Sequence, residues 1–308
     1  MGAETLTVLI GILALQAFEP SRPPLVGGLP VARYVVPQAA VPVKKEAGRL
    51  GVELTARAAV AIDAKSGHML FEKDADRPYP VASLTKIITA MVLLDQKPRL
   101  EEKVTLTTAD RGRVGRTFVD LQDAFTRKEL LQIMLIASSN EAAHALARTS
   151  VGMDAFVAAM NAKARELGMV HATFHDPSGL DPRNAASAKD MAIAIRAALN
   201  YPLLQSITPI QTLVVRGRAT GRSYTLKSTN LLLGSALNKD PYKIMAGKTG
   251  SLEEAGFCFA QVTRNKEGDE VIAVVLGSDS HFSRFQDVKS MTYWAYDAFL
   301  WPAVAARR

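Results

Sequence analysis

Pro80-Val81-Ala82-Ser83-Leu84-Thr85-Lys86-Ile87-Ile88-Thr89-Ala90-Met91-Val92-Leu93-Leu94 sets apolar residues at Leu84, Ile87, Ile88, Met91 and Val92. This is the i, i+3, i+4 rhythm of a helix with one buried stripe. The run begins after a proline, at a serine, a good helix-start residue. Ser83 and Lys86 stand three apart and are therefore neighbours on a helix surface. Unpaired N–H groups and the helix dipole at a first turn favour negative charge, so they help a serine alkoxide and hinder a lysine ammonium. A lysine held near neutrality beside a serine is a general base for a nucleophile. The plain alternative is a helix-capping serine and a solvated lysine. Composition alone gives about one Ser-x-x-Lys in a chain of this length, so the motif gains weight only from its surroundings.

Two further motifs lie downstream. Lys248-Thr249-Gly250 directly follows a strand-like run and is expected by chance in only about one chain in ten of this size. On a strand, Lys248 and Gly250 share a face. An ammonium near a hydroxyl suits a carboxylate ligand, and Gly250 leaves room for a substrate backbone to come close. The plain alternative is an edge-strand lysine before a turn. Ser138-Ser139-Asn140 interrupts two helical stretches. A serine hydroxyl there can relay a proton, and an asparagine amide can both donate and accept. It also reads as an N-cap pair, and Ser228-Thr229-Asn230 repeats the pattern.

Around these motifs, Ala56 to Asp63 and His68 to Glu72 read as strands about the turn Ala64-Lys65-Ser66-Gly67. Lys103 to Thr107 is a possible short strand in an otherwise irregular 95–125. Thr126-Arg127-Lys128-Glu129 is a capping box before an apolar run. Glu141 to Ala147, Asp154 to Leu167 (closed by Gly168), and a helix capped at Ser187 and running to about Asn200 make 126–200 mostly helical. Hairpins follow: 212–216 with 223–227, and 256–263 with 271–277. Phe285 to Trp301 reads as a closing helix. Hairpins imply antiparallel pairing, and strands at both ends, helices between and a terminal helix predict an α+β fold.

Leu6 to Phe18 is an apolar core short for a membrane span and fits a signal peptide or anchor over 1–18. Residues 1–5 carry no Lys or Arg. Residues 19–50 read as a proline-rich linker, leaving 51–308 as the catalytic domain. With 48% hydrophobic and 22% charged residues, the 308-residue chain has an ordinary globular composition. Its net charge of +7 suits an anionic surface such as a cell wall. No basic block with interleaved aromatics points to nucleic acid. The lone Cys258 excludes an intramolecular disulfide. His171 and His175 are i, i+4, but in a loop, so no metal is expected.

Ser-x-x-Lys opening a helix, Ser-x-Asn between helices and Lys-Thr-Gly after a strand, in this order, form the signature set of penicillin-binding proteins and class A β-lactamases. Over residues 55–300 the chain resembles the low-molecular-mass penicillin-binding proteins of the D-alanyl-D-alanine carboxypeptidase/endopeptidase family. Asp176-Pro177-Ser178-Gly179-Leu180-Asp181 and Ser228-Thr229-Asn230-Leu231-Leu232 also resemble family segments. The resemblance implies an antiparallel sheet flanked by helices, with a mostly helical subdomain over about 100–205. It also implies Ser83 as nucleophile, Lys86 as its base, Ser138 as proton shuttle and Asn140 as holder of the substrate amide. Lys248 and Thr249 would bind the terminal carboxylate, with Gly250 and Ser251 completing the strand and the N–H groups of Ser83 and Ser251 forming an oxyanion hole. The helix terminus and Lys248 would depress Lys86. Implied partners are peptidoglycan peptides, with β-lactam antibiotics as covalent inhibitors, in the cell envelope or periplasm. Membrane association would come through residues 6–18, and no cofactor is needed. A class A β-lactamase would need a Glu-x-x-Leu-Asn segment, absent between Asn140 and Lys248. Ser139 departs from the usual aspartate. A catalytically inactive wall-binding module is the other alternative. No further domain is expected after about residue 300, which leans the reading toward the endopeptidase branch.

Overall fold

Alternation along five strands builds the molecule. In the computed structural model, which describes residues 25–26, 29–30, 41–112 and 117–302, these are β1 (Ala58–Asp63), β2 (Met69–Lys73), β3 (Lys243–Leu252), β4 (Gly256–Arg264) and β5 (Glu270–Ser278). They form one sheet in the order β3-β4-β5-β1-β2, antiparallel throughout. Pairing of β1 with β5 brings the two ends of the domain together. Side chains alternate between two cores, as the pleat requires. Val60, Ile62, Ala260, Val262, Ile272 and Val274 enter one. Ala59, Ala61, Phe259, Val271, Ala273 and Val275 enter the other.

The second core is closed by a C-terminal helix over Ser283–Ala298, whose Phe285, Val288, Met291, Ala295 and Ala298 form a single buried stripe. The first core is closed by α1 (Thr85–Asp95), α2 (Arg127–Ile136), α3 (Asn140–Arg148), α4 (Met153–Glu166), α5 (Ala188–Ala198) and α6 (Pro202–Ile207). The C-terminal helix is α7. Local signals explain the starts. Thr126 and Glu129 close a reciprocal capping box on α2, and Ser187 and Asp190 do the same on α5. Pro202 sits in the first turn of α6, an element absent from the expectation.

Three expectations change. The helix after Ser83 is buried at every position from Thr85 to Leu93, not along one stripe, because α2, α3, α4 and α5 surround it. Its polar positions are satisfied inside the protein: Thr89 donates to the Pro177 carbonyl at 2.6 Å, and Thr85 accepts from Asn184 at 3.2 Å. The short strand expected within Lys103 to Thr107 is present over Lys103–Thr105, paired with Ala124–Thr126. The closing helix ends at Ala298. There the backbone turns extended, and Phe299–Leu300 pairs with Val43–Lys44. Residues 43–50, expected in the linker, are thereby tied to the catalytic unit, and Trp294 donates to the Leu50 carbonyl at 2.8 Å. Residues 40–308 form one compact unit. In the separate N-terminal part, Leu25–Val26 pairs with Leu29–Pro30. The expected signal or anchor over 1–18 lies outside the described residues. Among the described residues no helix is long and apolar enough to cross a membrane.

Phe259 is fully buried, with its ring 5.2 Å from that of Phe285. Phe259→Ala should cost about 3–5 kcal/mol of unfolding free energy, read by denaturant titration. A cost below about 1 kcal/mol would contradict the packing of α7 on the sheet.

Candidate active site

The turn before α1 is short and strained. Ala82–Leu84 is a single 3-10 turn, and Ala82 holds φ at +46°. A non-glycine residue there costs of order 1–3 kcal/mol and persists only under pressure from its surroundings. Two glycines supply that pressure. Gly179, at φ +83°, packs so closely that a Cβ would sit 1.9 Å from the Ala82 carbonyl oxygen. A Cβ on Gly250 would sit 3.0 Å from the Ser83 nitrogen. The space beside Gly250 is thus taken by the serine's own turn, whereas the sequence reading had reserved it for substrate.

Ser83 does not act as a side-chain cap. Its Oγ instead accepts from Lys86 Nζ at 2.9 Å. Lys86 is fully buried. Its other contacts are Asn140 Oδ1 at 2.8 Å and the Ser178 carbonyl at 2.5 Å. Burial pushes its ammonium down to about 7, against the opposing pull of Asp176 and Glu141. Burial thus replaces the helix terminus and Lys248 as the leading cause. A neutral amine here keeps two donors and turns a lone pair to the serine hydroxyl.

The second and third motifs meet at the same place. Lys248, also buried, donates to Ser138 Oγ at 2.8 Å and to the Thr249 carbonyl at 2.7 Å. Burial, with Lys86 and Arg284 nearby, holds it well below the usual lysine range. Ser138 is left-handed at φ +62°, and Ser139 caps α3 by accepting from Ala142 N–H at 3.1 Å. The Ser-Ser-Asn segment is therefore both a helix start and a source of site side chains. In place of the usual aspartate, Ser139 donates to Glu141 at 2.9 Å. The repeated Ser-x-Asn also has a place: Thr229 accepts from the Thr249 hydroxyl at 2.6 Å, and Asn230 caps the turn at Leu231–Gly234. Ser251 is exposed near the end of β3.

Several supports escaped the sequence reading. The loop 176–181 presents the Ser178 carbonyl because Asp176 accepts from the N–H groups of Ser178, Gly179 and Asp181 at 2.5, 2.8 and 2.6 Å. Asn184 accepts from the Asp176 N–H at 3.2 Å and donates to its carbonyl at 2.9 Å. Arg284 reaches the Gly250 carbonyl at 2.9 Å from the start of α7. The Asp-Pro-Ser-Gly run was a turn signal that could have located the first of these. Among the described residues no cluster of three or more metal-ligating side chains occurs.

The profile of the D-alanyl-D-alanine carboxypeptidases, the S11 peptidases, matches residues 43–280. The chain belongs to this family. A D-alanyl-D-alanine endopeptidase of Pseudomonas aeruginosa is 33% identical over 84% of this chain and 80% of its own. Among solved structures, the Streptomyces K15 DD-transpeptidase superposes with a TM-score of 0.74 at 26% identity, over 81% of this chain and 100% of that one. Penicillin-binding protein D2 of Listeria monocytogenes in its cefotaxime-bound form gives 0.70 at 29% identity, over 80% and 100%. The fold is accordingly that of the DD-peptidases, and the chain is a serine DD-peptidase, a hydrolase. Neither a class A β-lactamase nor an inactive wall-binding module is favoured.

Gly179→Ala must displace the Ala82–Ser83 turn. It should abolish covalent labelling by penicillin and lower the melting temperature, whereas Gly234→Ala, whose Cβ meets nothing within 4 Å, should change neither. Normal labelling of folded Gly179→Ala would show that the turn need not be held this way.

Proposed function

We propose that this DD-peptidase cleaves peptidoglycan stem peptides through a Ser83 acyl-enzyme, with neutral Lys86 as the base. The observation that carries the reading is the fully buried amine 2.9 Å from the Ser83 hydroxyl. Lys86 takes the hydroxyl proton as Oγ attacks the carbonyl of the penultimate D-Ala. The developing oxyanion lies between the N–H groups of Ser83 and Ser251. Each donor of this kind is worth about 3 kcal/mol of barrier. The Lys86 proton then passes by way of Ser138 to the leaving amine. Asn140, whose Oδ1 is occupied by Lys86, offers its Nδ2 to the substrate amide carbonyl. Lys248 and the Thr249 hydroxyl receive the terminal carboxylate. Water admitted against the acyl carbon, again deprotonated by Lys86, restores Ser83. A β-lactam opens on Ser83 by the same first step, and its slow hydrolysis makes it a covalent inhibitor.

Two substrates fit this chemistry: the terminal D-Ala of an uncrosslinked stem and a D-Ala-containing crosslink. The crosslink is the preferred reading, supported by likeness to the D-alanyl-D-alanine endopeptidase of P. aeruginosa. The cell envelope is the proposed location, where these substrates are, with residues 6–18 as a possible membrane attachment. Digestion of crosslinked and uncrosslinked muropeptides side by side is the test. Release of monomers from dimers is expected, and shortening of pentapeptide stems alone would overturn the preference.

The base also sets a pH profile. Below pH 7 Lys86 is protonated and cannot accept the serine proton; above it the amine is free. The rate of penicillin acylation should therefore rise with pH through about 7 and then level off, and Ser83→Ala should abolish it. A rate constant flat from about pH 5.5 to 8.5 would remove Lys86 from this role.

A further inference from the structure

Arg284 is 3% exposed, on the first turn of α7. Its guanidinium lies 4.8 Å from the ring centre of Phe285 and 5.6 Å from that of Phe257. Among the described residues it makes no ion pair, and its Nε has no hydrogen-bond partner. Burying a guanidinium without a carboxylate is costly, and an apolar side chain would fill this space more cheaply. What the position does provide is one directed bond, Nη1 to the Gly250 carbonyl at 2.9 Å.

That carbonyl shares a peptide unit with the Ser251 N–H. The unit is trans, so the two groups point in opposite directions and rotate together. Strand pairing holds this unit from one side only. β3 is an edge strand in register with β4 through Gly250↔Cys258 and Ser251↔Phe257, Gly250 has no side chain to anchor it, and β4 carries a register shift against β5 between Phe257 and Phe259. We propose that Arg284 is a positioning residue: by holding the Gly250 carbonyl it fixes the Ser251 N–H in the direction needed for the oxyanion. The inference rests on the acyl-enzyme reading above and names what keeps one of its two oxyanion donors in place.

The rival role, direct contact with the substrate carboxylate, makes a different forecast. Two acyl donors separate them: labelled penicillin, which carries a carboxylate, and p-nitrophenyl acetate, which carries none. In the second reaction the Ser83 Oγ–carbon bond forms, the ester C–O bond breaks, p-nitrophenolate leaves and the serine proton passes to Lys86. Ser83→Ala sets the background for both. Arg284→Met, of similar bulk, should slow acylation about 100-fold with both donors, as loss of an oxyanion donor does. The penicillin concentration for half-maximal rate should stay within about twofold, because the loss falls on the transition state and not on ground-state binding. Arg284→Lys keeps one donor and should recover part of the rate with both probes. Circular dichroism and melting temperature establish folding. If Arg284→Met does not fold, Arg284→Lys carries the test, with an equal drop on both donors expected. Near-wild-type rates in the folded variant, or a loss confined to penicillin with weaker half-saturation, would overturn the proposal. Failure of the wild-type protein to acylate at Ser83 would instead overturn the reading beneath it.

Discussion

A primary amine sealed from water, in contact with a serine hydroxyl, is the constraint on which the rest of the structure depends. Lys86 is held at that point by three acceptors from three parts of the chain: Ser83 in its own turn, Asn140 at the start of α3, and the Ser178 carbonyl of a loop. Burial disfavours the ammonium, and two carboxylates, Asp176 and Glu141, restrain that effect. The balance leaves the amine near neutrality where the cell works. A lysine one helical turn away, in water, would hold its proton and could not take another.

The scaffold can be read as the means of keeping that amine dry and that serine in line. α1 is enclosed by α2, α3, α4 and α5, and the side chain of Lys86 is fully buried beside Ser83. The left-handed residues Ala82 and Ser138 both lie within the site, and the turn at Ala82 is held by tight contacts with Gly179 and Gly250. Lys248 adds a second buried amine, lodged against Ser138. Burial disfavours the charged form of both amines, and a peptide's free carboxylate arriving beside Lys248 favours it.

Much of this was legible in the sequence. The short apolar runs of β1, β4 and β5 and the capping residues Thr126 and Ser187 are local signals, and local physics decides them. The order of the three motifs also reads directly, since each side chain involved has a chemistry of its own. Other parts were not legible for equally physical reasons. The Ser178 carbonyl is a backbone atom, and any residue could present it; only the Asp176 turn that aims it has a sequence trace. The all-round burial of α1 depends on neighbours brought in from elsewhere in the chain, so its periodicity indicated one stripe. Arg284 lies just before the helix that the sequence marks from Phe285, and a lone arginine there carries no pattern of its own. The pairing of Phe299–Leu300 with Val43–Lys44 joins the two ends of the domain, and neither dipeptide carries a pattern long enough to announce it.

The account stands or falls on the protonation of one nitrogen. Titration of the protein labelled with 13C at lysine Cε, followed by NMR with the Lys86 signal assigned by its loss in Lys86→Arg, measures it directly. The predicted midpoint is near pH 7, well below the ordinary lysine value of 10.5. A Lys86 midpoint at that ordinary value would mean a charged amine at neutral pH, and the serine would have no base.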